Sequence, residues 1–143
     1  MEFIPKWIAW EITRRCNFGC VPCRSASELE AKGHPDFSFA EAKRILADIR
    51  SYANPVVVLS GGEPLLREEV FDIAAHGTKL GLRMCLATNG SLVTSEVCRN
   101  MQATGIKMVS LSLDGASAAV HDDFRRQSGA FDGVMQAIEL FKE

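Results

Sequence analysis

The sequence is short of the features that mark specialised classes of protein. The stretch "MEFIPKWIAWEIT" has no basic segment followed by an apolar core, so no signal peptide is expected. No apolar run approaches the roughly 20 residues of a membrane-spanning helix. Basic runs are missing, and a formal net charge of -2 over 143 residues leaves no electrostatic footprint for nucleic acid or a membrane surface. Low-complexity tracts and sequence repeats are also absent. Neither Walker spacing nor a Gly-x-Gly-x-x-Gly pattern occurs, which removes the common phosphate-binding loops. What is left is ordinary globular composition, 47% hydrophobic and 24% charged, enough for one core.

Cysteine is the exception. Of five, Cys16, Cys20 and Cys23 crowd into "TRRCNFGCVPCRS". An odd, clustered set does not suit a secreted disulfide framework; in a reducing cytosol such a cluster more often holds a metal, so cytoplasmic residence is expected.

Four segments read as strands: Lys6 to Thr13, Pro55 to Ser60, Leu82 to Thr88 and Lys107 to Leu113. The first puts Ile8, Trp10 and Ile12 on one face, and "PVVVLS" is the β-branched run of a strand buried on both faces. Helical patterns separate them. Ser38 and Glu41 form a capping box, Phe37 is placed for a hydrophobic staple, and Ala42, Ile45, Leu46 and Ile49 share a stripe. A second helix runs from Glu68 to about Leu80, with Val70, Ile73 and Ala74 inward and Gly81 as its stop. A third begins near Thr94, buries Val97, Cys98 and Met101, and ends at Gly105. The last covers Asp132 to Glu143, with Val134, Ile138 and Phe141 on one stripe.

The predicted order is βαβαβαβα, an α/β fold with parallel strands. A doubly wound sheet and an arc of a βα barrel both fit. Ser110, Ser112 and Asp114 fall on one face of "VSLSLDG", and a polar face suits a lumen, so the barrel arc is favoured. Four units cannot close a barrel. Residues 1–143 are therefore expected to be the N-terminal portion of a core domain, with further barrel units and any auxiliary domain beyond them.

Unusual stretches follow every strand: the cysteine segment, "SGGEPLL", "TNG" and "SLDG". Ligand sites of parallel βα proteins gather at the C-terminal strand ends. The Cys-x3-Cys-x2-Cys loop can hold three irons of a [4Fe–4S] cluster and leave the fourth open. A zinc site completed by His34, Cys85 or Cys98 is the alternative, although Cys85 and Cys98 also read as core. Gly61 and Gly62 allow close backbone approach, Glu63 adds negative charge suited to an ammonium group, and Pro64 stiffens the exit. "GGE" is equally a plain βα turn, Asn89-Gly90 a common turn pair, and Ser112 and Asp114 either ligand contacts or strand-end caps.

"CNFGCVPC", "GGEP", "ATNG" and "SLSLDG" together resemble the radical S-adenosylmethionine (radical SAM) superfamily across essentially the whole chain. The resemblance implies an enzyme in which Cys16, Cys20 and Cys23 bind a [4Fe–4S] cluster whose open iron is chelated by SAM. Reductive cleavage of SAM would give a 5'-deoxyadenosyl radical for hydrogen abstraction. It also implies that Gly61, Gly62 and Glu63, with Pro64, receive the methionine ammonium. Ser112 would lie near the SAM carboxylate or ribose, with Asn89 or Asp114 as further contacts and Arg125, or else Arg126, on the carboxylate. Where the family commonly has an aromatic residue before the third cysteine, this chain has Pro22. "WEITRRCN" and "VSLSLDGA" are most similar to members with a SPASM or related auxiliary-cluster region, which act in haem and haem d1 biosynthesis or mature ribosomal peptides. The implied partners are a small-molecule or peptide substrate and an external electron donor such as flavodoxin or ferredoxin, with neither nucleic acid nor membrane. A structural zinc-binding or electron-transfer module is the reading from another class.

Overall fold

In the computed structural model, residues 3–21, 23, 33 and 35–142 are described. Among them, β1 (Trp7–Thr13), β2 (Val56–Gly61), β3 (Arg83–Thr88) and β4 (Met108–Leu111) form one parallel sheet in the order β1-β2-β3-β4. Sequential order without reversal is the signature of a singly wound arc; a doubly wound sheet reverses its order at a switch point. The register aligns Glu11 with Ser60 and Ala87 with Ser110.

The two faces differ as the alternation requires. Val57, Leu59, Met84 and Leu86 are fully buried against α1 (Phe39–Tyr52), α2 (Val70–Lys79) and α3 (Ser95–Thr104). Ala42 and Leu46 of α1, Val70, Ile73 and Ala74 of α2, and Met101 of α3 complete that core. On the opposite face Val58 and Cys85 are buried, but the residues nearest the strand exits, Glu11, Ser60, Ala87 and Ser110, are small or polar and at least partly exposed. This asymmetry makes the sheet a barrel arc, as its polar strand face suggested.

Local signals explain the helix ends. The Ser38–Glu41 capping box forms in both directions, Thr94 caps α3 through Val97 N–H, and α2 closes with Leu82 N–H donating to Gly77 O and Gly81 N–H to Thr78 O. The staple does not form: the Phe37 ring is half exposed, and its carbonyl instead accepts from the buried Arg67 guanidinium. That guanidinium also donates to Ile12 O at 2.6 Å, tying β1 to the short 3₁₀ turn Pro64–Leu66. This turn also delays α2, which begins at Val70 rather than Glu68.

The expected βαβαβαβα order lacks one element. Between β4 and α5 (Ala130–Leu140) lies α4 (Ala118–Arg125). Its two large apolar residues, Val120 and Phe124, stand one turn apart but stay partly exposed, Phe124 on the edge of a hollow at the strand ends, and the buried side chain is His121. Hydrophobic periodicity therefore carries little signal there. Polar contacts hold α4 in place. Asp122 accepts from Gly129 N–H at 2.7 Å and Phe131 N–H at 2.8 Å, supplying the cap that Gly129 cannot give α5. No helix among the described residues is long and apolar enough to cross a membrane.

Candidate active site

At the C-terminal ends of the four strands lies a hollow of about 420 Å³, within the roughly 300–1,000 Å³ usual for ligand pockets. Cys16, Cys20 and Cys23 line one side of it. Gly61 and Gly62 come from β2, Asn89 from the β3 exit, Ser112 and Asp114 from the β4 exit, and Arg125 from α4. Glu63 and Pro64 are fully or nearly buried behind this wall rather than in it. His34 and Pro22 lie outside the described residues.

The thiols are grouped but not closed. Cys16 and Cys20 are half-buried and Cys23 exposed, and Cys23 N–H turns back to Cys20 O at 3.3 Å. Burial pushes the Cys16 thiol up; Glu63, Cys20 and Cys23 add to the rise, and an N–H from Phe18 opposes it. Among the described residues, no three His, Cys, Asp or Glu side chains gather around the point a single ion would occupy. Cys85 is buried within β3, and Cys98 lies in α3 beside a different, apolar hollow.

The glycine pair is required by the chain's own backbone. A Cβ on Gly61 would stand 2.1 Å from Thr13 O, and one on Gly62 would stand 2.1 Å from Arg15 O. Gly62 N–H donates to Thr13 O at 2.9 Å and Glu63 N–H to Arg15 O at 2.7 Å. The residues leading into Cys16 are thus laid directly on the β2 exit. Gly61 also has φ +132°, a conformation open in practice to glycine alone.

Glu63 works inward. Its carboxylate accepts from Thr88 Oγ1 at 2.7 Å, Asn89 N–H at 2.8 Å and Leu65 N–H at 3.1 Å. Burial nevertheless raises its pKa, since these bonds offset only part of the lost hydration. Above it sits a closed ring of side chains. Asn17 Nδ2 donates to Ser91 Oγ at 2.9 Å, Ser91 Oγ to Asn89 Oδ1 at 2.7 Å, and Asn89 Nδ2 back to Asn17 Oδ1 at 2.9 Å. Each member both gives and accepts, an arrangement that strengthens the whole. Asn89 faces the hollow; its Oδ1 accepts from Ser91 N–H and Oγ, and its Nδ2 fastens the cysteine loop to the β3 exit through Asn17.

On the far side, Arg125 pairs with the Asp114 carboxylate through Nη2 and donates to Cys20 Sγ at 3.5 Å through Nη1. Burial opposes its charge, but these two acceptors outweigh it and its pKa rises. Its Nε is buried without an acceptor. Asp114 N–H donates to Nδ1 of the fully buried His121 at 3.2 Å. Arg126 caps α4 in a left-handed conformation and is exposed, so Arg125 is the arginine that lines the hollow.

Sequence reasoning missed Asn17, Thr88, Ser91, His121 and Arg67 as organisers of this site. Asn17 sits between two of the singled-out cysteines, and Thr88 and Ser91 flank the singled-out Asn89, so their positions were visible. His121 and Arg67 had no pattern to mark them.

The radical SAM superfamily model matches residues 10–143. An AdoMet-dependent heme synthase of Methanosarcina barkeri is 44% identical over the whole chain, which covers 41% of that protein. Another, from Nitratidesulfovibrio vulgaris, is 39% identical, with 96% of this chain aligned to 37% of the relative. The chain thus spans about two fifths of the length of these curated relatives. Among solved structures, Streptococcus suis SuiB bound to the precursor peptide SuiA superimposes with a TM-score of 0.81 at 16% identity, over 96% of this chain and 30% of that one.

Proposed function

The chain belongs to the radical SAM superfamily, whose members use a [4Fe–4S] cluster and S-adenosylmethionine, and from that premise we propose that it supplies the cofactor-binding portion of a larger radical enzyme. On this reading residues 1–143 form the N-terminal portion of its core domain, with further barrel units and any auxiliary-cluster region in the rest of the polypeptide; the chain's coverage of about two fifths of its relatives supports it.

The observation that carries this reading is the meeting of three thiols, a glycine-walled strand exit and the Arg125 side chain on one hollow. Three thiols lining one hollow suit a cluster in which each holds a different iron. Cys85 and Cys98, offered as a fourth zinc ligand, are committed elsewhere. The Arg125 guanidinium on the wall of the hollow suits an anionic ligand such as the SAM carboxylate.

Cys16, Cys20 and Cys23 hold the cluster. When bound, the cluster and SAM supply one-electron reductive cleavage of the sulfonium and hydrogen-atom abstraction. The chain's own residues bind and orient. The Gly61 and Gly62 backbone takes the methionine ammonium, with the Glu63 charge one layer behind and Pro64 fixing the turn. Ser112 approaches the ribose or carboxylate, Asp114 accepts from ribose hydroxyls, Asn89 is a further polar contact, and Arg125 takes the carboxylate. Holding these groups in advance removes orientational freedom that would otherwise add to the barrier.

The substrate class is a tetrapyrrole of haem biosynthesis, as the names of the sequence relatives suggest. Maturation of a peptide is the second reading, favoured by the fold shared with a peptide-bound enzyme. An external one-electron donor such as flavodoxin or ferredoxin completes the system; it acts in the cytoplasm, without nucleic acid or membrane. The deciding experiment is anaerobic reconstitution of the complete polypeptide followed by SAM and dithionite. Formation of 5'-deoxyadenosine, abolished by Cys20→Ala, is expected; a colourless zinc protein that leaves SAM intact defeats the reading.

A further inference from the structure

The contact between Arg125 and Cys20 reaches beyond cofactor binding. Arg125 Nη1 donates to Cys20 Sγ at 3.5 Å while Nη2 pairs with the Asp114 carboxylate. Both partners are fixed from outside. The loop beside Cys20 is pinned to α4 by Val21 N–H donating to Phe124 O at 3.1 Å, one residue before Arg125. Asp114 is anchored through its own N–H to buried His121, also in α4. The Arg125 side chain is 16% exposed and Asp114 31%, so solvent screens the group only in part.

A cluster ligated by Cys20 gains one negative charge on reduction. Hydrogen bonds to its sulfurs and nearby positive charge favour that form, and nearby negative charge opposes it. Arg125 therefore favours the reduced form at Cys20 Sγ, and Asp114, paired with the other guanidinium nitrogen, offsets part of that charge. Taking Cys16, Cys20 and Cys23 as cluster ligands, we propose that the Arg125–Asp114 pair sets the reduction potential of the cluster through Cys20, before SAM binds. Arg125 is a positioning and tuning residue here, and Asp114 is its counterweight. The carboxylate of SAM would join Asp114 as a second acceptor of the same guanidinium, so cofactor binding and potential are linked through one side chain.

The test is a redox titration of the anaerobically reconstituted complete protein without SAM, followed by electron paramagnetic resonance of the reduced cluster. Arg125→Gln should make the cluster harder to reduce by about tenfold in the equilibrium, about 59 mV for one electron. Asp114→Asn should shift it the other way, and Arg125→Lys should recover part of the loss. Opposite shifts at equal iron content support the proposal, because a structural disturbance would not reverse sign. Should Arg125→Gln fail to take up iron, Asp114→Asn alone decides. Unchanged potentials in cluster-bearing variants overturn it while leaving the superfamily reading intact. A wild-type protein that assembles no cluster would instead defeat the assignment of the cysteines.

Discussion

Thr88 Oγ1 donates to the carboxylate of Glu63 at 2.7 Å, and both residues are buried. One bond thereby joins the exits of β2 and β3, and its charge is held close behind the Gly61–Gly62 wall. Replacing Glu63 with Ala leaves the Thr88 hydroxyl and the Asn89 and Leu65 N–H groups without their acceptor. An orphaned buried donor costs about 1–3 kcal/mol. Glu63→Ala is expected to lower the chemical-denaturation midpoint and weaken SAM binding in calorimetric titration, while iron content persists.

The same carboxyl gives a pH signature. Burial raises its folded pKa above the ordinary value of 4.5, so between that value and the raised one the native state binds more proton than the unfolded chain. Stability from this group is present below the unfolded pKa and falls as pH rises through the folded pKa. Denaturation midpoints across that window should decline with rising pH in the wild type. The slope should be flatter in Glu63→Gln.

Gly62→Ala tests the backbone contact. The added methyl would meet Arg15 O at 2.1 Å, and Arg15 leads straight into Cys16. Far-ultraviolet dichroism should change little, whereas iron retained after reconstitution should fall severalfold.

Cysteine substitutions separate ligand from core. Cys16→Ala, Cys20→Ala and Cys23→Ala should each abolish the iron–sulfur absorption. Cys98→Ala, beside the separate apolar hollow, should preserve it. Iron and sulfide analysis distinguishes the two outcomes.

Asp122→Ala removes the acceptor of Gly129 and Phe131 N–H. Faster hydrogen exchange at those two amides, with the sheet amides unaffected, is the expected result. Acid should likewise lower the protection of these amides relative to their intrinsic exchange rate, because these bonds hold the Asp122 pKa below 3.8 and protonation on falling pH releases them.

Much of this was legible in the residues. β1, β2 and β3 followed from alternation and β-branched runs, α1 from its capping box, and the barrel arc from the polar face containing Ser110 and Ser112. The structure places the three cysteines and Arg125 on one hollow. Membership of the family follows from the superfamily match. The helix α4 was hidden because its buried residue is a histidine and its anchors are polar. Glu63 was expected to face the ligand and instead faces Thr88, a direction that spacing along one strand does not encode. The ring of Asn17, Ser91 and Asn89 joins residues more than 70 positions apart in sequence, and only tertiary structure brings them together.

The two glycines at the end of β2 make one mechanical piece of segments far apart in the chain. Bulk added at either one acts as a lever on the first thiol before it touches any small molecule. Loss of activity at these positions therefore diagnoses a defect in metal loading first, and cofactor affinity there is meaningful only when normalised to occupied iron.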